Sequence, residues 1–317
     1  MTSWLVFVDT NILLDFYRLR GASALKYLSN LEKNKSNLIL TEQVHMEYLK
    51  HRQRVVSESI KELVKPAEQK LPAFVSEYQA AISMRKNVFD ASEQHKKLKE
   101  KITKVLDTPR NHDEVFKAVN RIFNGDSKYY LGREHDRKNK IRSLARKRFS
   151  MGYPPRKSND VSIGDAINWE WIVECAKNCE QKSNVMIVSR DGDFGIENNK
   201  KFILNDWLQK EFKERVSQKR KVELTNLLSS ALKKIAVQTP KEDIEAEKEV
   251  AETTSQRLER AYYSTSGVDP ARWKTFSDRL TAIQSGLNLD SDALERIHQI
   301  NKALQSLAKG IADSEGD

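Results

Sequence analysis

The chain has very little cysteine. Cys175 and Cys179 are the only two in 317 residues. They stand four apart, with no histidines at metal-ligand spacing, so neither a disulfide framework nor a zinc-type Cys/His centre is expected. A reducing, cytoplasmic setting fits this. Long apolar runs are also missing: no stretch approaches the roughly 20 residues of a membrane-spanning helix, so no membrane partner is expected. The opening Met-Thr-Ser-Trp carries no basic segment and leads into no long apolar one, so no secretory leader is expected either. No internal repeat is visible. Hydrophobic residues make up only 38%, against about 45–50% apolar residues, glycine included, in ordinary globular chains.

Charge fills the deficit, at 32% of residues with a net charge of +10. Much of the chain should therefore be solvated helix, over a core still large enough to stand without covalent staples. A basic balance of this size favours polyanionic partners through counterion release.

The order of elements predicts an α/β protein. Residues 4–8 form a short, wholly apolar run, as in a strand buried on both faces of a parallel sheet. Helices follow over 12–19 and 22–33, the first with Asn11 in capping position. Residues 38–40 are a second strand, after which Thr41 caps a helix carrying Val44, Tyr48, Leu49, Val55 and Val56 near helical spacing. Residues 57–149 read as a polar, charged helical insertion without strands, divided by Pro66, Pro72 and Pro109. Gly152, Pro154 and Pro155 lie in a loop over 151–160 that returns the chain to the core. A helix over 163–180 has Ile167, Trp171, Ile172 and Cys175 on one face. Residues 185–189 and 202–204 are strands, and a helix runs from Asn205 to about Val216. The expected fold class is a three-layer α/β/α sandwich with a central parallel sheet. Its core comprises residues 1–56 and 150–217. Residues 220–237 read as one more helix and 238–256 as a charged linker within segment 218–256. Residues 257–317 read as a small helical module, with helices over 257–263, 270–285 and 290–309.

Four acidic segments fall where strands end or helices begin. They are Val8-Asp9-Thr10-Asn11, the stretch from Thr41 to Glu47, Ser162-Ile163-Gly164-Asp165, and Ser189-Arg190-Asp191-Gly192-Asp193. Each alone has an ordinary explanation. Asp9 or Asp165 can cap the following helix, Asp191-Gly192-Asp193 can be a turn, and Glu47 can be a solvated helix residue. Together they would deliver carboxylates to one edge of a sheet, where ligands of such folds bind. Crowded carboxylates repel and raise one another's pKa unless a cation is present. Hard divalent cations take oxygen ligands of this kind, and they equip a site for hydrolysis.

These segments carry a resemblance. Val8-Asp9-Thr10-Asn11-Ile12-Leu13-Leu14, Thr41 to Tyr48, Gly164-Asp165-Ala166-Ile167 and Ile187 to Phe194 resemble, in order, the four signature segments of PIN-domain nucleases. Gly152-Tyr153-Pro154-Pro155 resembles a bacterial PIN-like branch with a long helical insertion. The resemblance covers about residues 4–60 and 150–215. It implies that Asp9, Glu47, Asp165 and Asp191 are catalytic metal ligands, with Asp193 an additional ligand and Asn11 and Ser189 in support. It also implies Mg²⁺ or Mn²⁺ as cofactor and phosphodiester hydrolysis, mostly of RNA, in some members as toxins or in RNA decay. Cutting of DNA, or a non-catalytic scaffold of the same fold, is the alternative. A phosphatase-like use of Asp9 as nucleophile is disfavoured because position 11 is Asn rather than Asp.

Residues 128–148 are basic with interleaved aromatics, and Arg156 and Lys157 follow shortly before Asp165. Arg142, Arg146, Lys147, Arg148, Arg156 and Lys157 are the expected nucleic-acid contacts, for RNA ahead of DNA. His45, His51 and His95 have no ligand spacing. The insertion and the C-terminal helices are the natural places for self-association or a regulatory protein partner.

Overall fold

The computed structural model describes residues 3–67, 70–124, 127–155, 162–198 and 201–265, with side chains to residue 253. In chain order the elements are β1 (Trp4–Val8), α1 (Thr10–Leu14), α2 (Gly21–Lys33), β2 (Leu38–Thr41), α3 (Glu42–Glu62), α4 (Gln79–Asp107), α5 (Pro109–His112), α6 (Glu114–Phe123), β3 (Tyr130–Leu131), α7 (Lys138–Ser150) and α8 (Gly164–Asn178). Then come β4 (Asn184–Val188), β5 (Gly195–Asn198), β6 (Lys201–Leu204), α9 (Asp206–Arg215), β7 (Val222–Thr225), α10 (Leu228–Lys234) and α11 (Lys241–Thr265). Three short 3₁₀ turns lie between them, one of them Asp15–Tyr17 after α1.

The central sheet has five strands in the order β3-β2-β1-β4-β7, all parallel. Every residue of β1, β2 and β4 is buried, as expected for strands covered by helices on both faces. The chain moves from β1 outward to β2 and β3, then returns to place β4 on the other side of β1. The β1/β4 seam is therefore the switch point of the sheet, where a crevice opens beyond the carboxyl ends of the strands. Register aligns Val8 with Val188, so Asp9 and Ser189 leave the sheet side by side, and Asp9 N donates to Val188 O at 3.0 Å.

Five expectations are corrected. The stretch between α3 and α8 is not strandless, because Tyr130–Leu131 extends the sheet beside β2. Its second half packs into the core through Ala118, Val119, Ile122 and Phe123 of α6, and buried Arg52 of α3 pairs with Asp113 at 2.6 Å. Residues 202–204 do form a strand, but β6 pairs antiparallel with β5 in a separate hairpin. The fifth strand of the main sheet is β7, within the stretch read as helix. Residues 238–256 are no linker: α11 buries Asp243, Ala246, Glu247 and Ala251. Finally, α8 is buried nearly all round, from Ala166 through Ala176, as a helix packed on several sides must be. Both of its tryptophan N–H groups are matched: Trp171 Nε1 donates to Tyr129 O at 3.0 Å, and Trp169 Nε1 to Glu211 Oε2 at 3.1 Å.

Residues through Thr253 form one compact unit and Thr254–Asp317 another. The expected helices over 270–285 and 290–309 lie outside the described residues. Among the described residues no helix is long and apolar enough to cross a membrane. Cys175 and Cys179 are buried free thiols.

Candidate active site

Asp9 is the N-cap of α1, so the capping explanation and the site explanation hold at once, and Asn11 does not take the capping role. Its carboxylate is buried and held from three directions. Oδ1 accepts from Thr10 N at 2.6 Å, and Oδ2 accepts from Ser189 Oγ at 2.6 Å and Asn11 Nδ2 at 2.7 Å. Burial pushes the Asp9 pKa up, from 3.8 to about 6; the Ser189 and Thr10 hydrogen bonds oppose the rise, and the charges of Asp191 and Glu47 add to it.

Glu47 stands in the second turn of α3, which Thr41 starts by accepting Val44 N at 3.1 Å. Glu47 Oε2 accepts from Thr10 Oγ1 at 3.1 Å, and Oε1 from Gln43 Nε2 at 2.7 Å, one helical turn earlier. Sequence reading missed Thr10 and Gln43, although both sit next to or one turn from an acidic position. The N-terminus of α8 closes on this pair. A Cβ on Gly164 would lie 2.6 Å from Glu47 Oε1 and 2.7 Å from Gln43 Nε2, so the start of α8, with Asp165 in its first turn, packs directly against these two side chains.

The fourth segment is a fixed loop. Asp191 N donates to Ser189 Oγ at 3.0 Å and Asp193 N to Asp191 Oδ1 at 3.2 Å. Phe194 is fully buried, with its ring centroid 6.3 Å from that of Phe7 on β1. The next residue is Gly195, where a Cβ would meet Ile203 O at 2.0 Å; only glycine permits so close a hairpin behind the loop. The result is that Asp165, Asp191 and Asp193, all half-buried, offer carboxylate oxygens within 4.8 Å of one another, a group able to hold a metal ion. Asp9 and Glu47 border this group. Asp9 feels both Asp191 and Glu47, and Glu47 abuts Gly164. All five acidic residues expected from sequence, with Asn11 and Ser189, thus converge at one edge of the sheet.

The basic residues divide. Arg142, Arg146 and Lys147 are exposed on α7. Ion pairs of Arg137 with Glu174 and of Arg148 with Glu170 make α7 antiparallel to α8, so the Arg146 end of α7 lies toward the Asp165 end of α8. Arg148 is not a substrate contact: its side chain is 4% exposed and is committed to Glu170, Glu211 and Pro154 O. A charge run had hidden a core residue. Arg156 and Lys157 lie outside the described residues. His45 is occupied structurally, stacked on Phe123 at 4.7 Å between ring centroids and bonded to Asn120 at 3.0 Å.

An acidic edge at the switch point of a doubly wound parallel sheet places the chain in the class of α/β proteins whose chemistry sits beyond the strand ends. The PIN domain family model matches residues 6–194, well over half of the chain, and the chain belongs to that family, whose members are in general nucleases, typically dependent on a divalent metal. Neither the curated proteins nor the solved structures yield a match.

Proposed function

We propose that this protein is an endonuclease that hydrolyses phosphodiester bonds with Mg²⁺ or Mn²⁺, RNA being the substrate. The observation that carries the reading is the convergence of five carboxylates, one of them driven to a pKa of about 6 partly by two of its neighbours. Such crowding costs free energy in the absence of a cation. The donor set fits the group: it is all oxygen, it lies within 4.8 Å for three of the members, and it contains no thiolate or imidazole. Asp9, Glu47, Asp165 and Asp191, with Asp193, would hold the ion. When bound, a cation of this kind acidifies water and withdraws charge from a phosphate oxygen. The chain's own residues set the geometry. Ser189 and Asn11 aim Asp9, Thr10 and Gln43 aim Glu47, and the Asp193 amide orients Asp191.

The RNA reading is supported by the exposed cations of α7 and by the Tyr153–Trp207 ring pair, 5.0 Å apart in the loop that follows α7 and on α9. Aromatic faces beside a basic strip suit unpaired bases and a phosphate backbone. A part in toxicity or defence would follow from such an activity in a free enzyme.

The test is cleavage of end-labelled single- and double-stranded RNA and DNA with Mn²⁺, Mg²⁺ or EDTA. Cleavage of single-stranded RNA that EDTA abolishes is the expected result. DNA-only cleavage would reassign the substrate, and tight binding without cleavage would favour the scaffold alternative. A second expectation concerns α7. Replacing Arg142, Arg146 and Lys147 together by Gln should weaken RNA binding and reduce the slope of log K against log [salt] by up to about 2. An unchanged slope would remove α7 from the substrate path.

A further inference from the structure

Trp207 stands in the first turn of α9 and is 40% exposed. Its place is set by the acidic edge. Asn205 Oδ1 accepts Trp207 N at 3.0 Å, and Asn205 N donates at 2.8 Å to the carbonyl of Phe194, the residue after Asp193. One turn further along α9, Glu211 Oε2 accepts from Trp169 Nε1 at 3.1 Å, and Trp169 is one turn past Asp165 on α8. The two helices therefore set out together from the group formed by Asp165, Asp191 and Asp193, and Trp207 is level with Asp165.

A second ring arrives from the end of α7. Gly152, at φ 73°, closes that helix in the left-handed conformation, and Tyr153 N donates to Arg148 O at 3.1 Å. The Tyr153 and Trp207 ring centroids are 5.0 Å apart, with planes inclined at 30°. Arg148 Nη1 donates to Pro154 O at 2.5 Å, and its Nη2 donates to Glu211. One buried ion-pair cluster thus holds both the loop that carries Tyr153 and the turn after Trp207, and the rings are fixed before any ligand arrives. Further back along α7, Arg142 and Arg146 stand one turn apart, both exposed. Lys210 Nζ lies 5.3 Å from the Trp207 centroid, with its side chain 62% exposed. The ring pair therefore joins the free cations of α7 and α9 to the acidic edge. A tryptophan that served only to pack the loop on α9 would be covered.

We propose that Trp207, backed by Tyr153, is a subsite for one unpaired base of the substrate, a few nucleotides from the phosphate at the acidic group. The proposal rests on the RNA-cleaving reading for its substrate. An exposed ammonium holds a ring more weakly than a stacked base does, so the base displaces Lys210, whose charge then meets a flanking phosphate. Stacking accepts any base, because every base has a π-face. It rejects a duplex, whose bases are already paired and stacked. The subsite thus selects for an unpaired strand rather than for a sequence, and it sets where along that strand the cut falls.

The experiment measures binding, in EDTA so that nothing is cut, of a short oligouridylate and of an abasic ribose-phosphate strand of the same length. Full-length wild type, Trp207→Leu and Trp207→Phe are compared, with the unfolding midpoint of each recorded. Both substitutions keep an apolar body at an exposed position, so the fold should hold. Trp207→Leu should bind the oligouridylate about 10-fold more weakly, the scale of one lost base–aromatic stack. Trp207→Phe, which keeps a π-face, should stay within about 3-fold of wild type. All three proteins should bind the abasic strand alike, because the coupling is between this ring and a base. Equal weakening of both strands by Trp207→Leu overturns the subsite, as does a wild type that does not distinguish them, since the ring would then serve packing alone. Cleavage of the oligouridylate is read separately in Mn²⁺. A wild type that shows the Trp207-dependent preference for bases but cuts nothing leaves the subsite standing and overturns the cleavage reading.

Discussion

Asp9→Asn should lower phosphodiester hydrolysis by on the order of a thousand-fold and, at neutral pH, make the metal-free protein more stable rather than less. The two effects share one cause. The Asp9 carboxyl has its pKa raised from 3.8 to about 6, by burial first and by Asp191 and Glu47 in addition. A raised carboxyl pKa means that the folded protein binds a proton more tightly than the unfolded chain. The contribution of this group to stability is therefore fully present below about pH 4 and is lost as pH rises through 6. Kept ionised at pH 8 without a cation, it costs about 3 kcal/mol. Asparagine removes the charge but gives up one acceptor to Ser189 and Asn11, so a net gain of about 1–2 kcal/mol remains. The check is thermal unfolding of wild type and variant in EDTA at pH 5 and pH 8. The variant's advantage should be open at pH 8 and nearly closed at pH 5, and Mn²⁺ should raise the wild-type midpoint more at pH 8 than at pH 5. A variant less stable than wild type at pH 8, or one that still cleaves, would defeat this account of Asp9.

The strands that make the site were legible because burial on both faces leaves a plain signature. Trp4–Val8, Leu38–Thr41 and Asn184–Val188 are buried at every position, and an acidic residue just past such a run stands at the sheet edge. Asp9 and the Asp191–Asp193 loop meet because parallel strands end on one side, while Glu47 and Asp165 come from the first two turns of α3 and the first turn of α8. What escaped was structure held by few or polar contacts. In β7 only Val222 and Leu224 are buried, in a stretch crowded with lysine and arginine. Two-residue β3 has no period to detect. α11 was taken for a linker because it lacks large apolar residues, yet it is seated by Ala246, Ala251 and the carboxylates of Asp243 and Glu247. A hydropathy pattern cannot register a buried carboxylate whose partners, Ser23 and Tyr27, lie 220 residues away. The same blindness placed Arg148 on the surface.

Arg148→Ala should cost the fold about 3–5 kcal/mol, the range for leaving a buried charge short of its partner, and lower the unfolding midpoint by roughly 10 °C. Arg148 lies at the centre of four charges. Its Nε donates to Glu170 Oε1 at 2.9 Å and its Nη2 to the same oxygen at 2.8 Å. Arg215 reaches Glu170 Oε2 at 2.6 Å, and both arginines bind Glu211. Burial pushes the Glu170 carboxyl up, but Arg215 and Arg148 outweigh it and hold the pKa below the usual range. A depressed carboxyl pKa places its stabilisation above the unfolded value, to be lost as pH falls through the folded one, so Arg148→Ala should also blunt the acid sensitivity of unfolding. Pro154 O would lose the guanidinium that now binds it, freeing the turn that follows α7. Arg146 sits two residues away on the same helix but is exposed, and Arg146→Ala should change stability by no more than about 0.5 kcal/mol. The pair separates the two uses of one charge run: Arg148→Ala should lower the unfolding midpoint, and Arg146→Ala should lower RNA affinity. An Arg148→Ala protein that melts like wild type but binds RNA weakly would put Arg148 back on the nucleic-acid face.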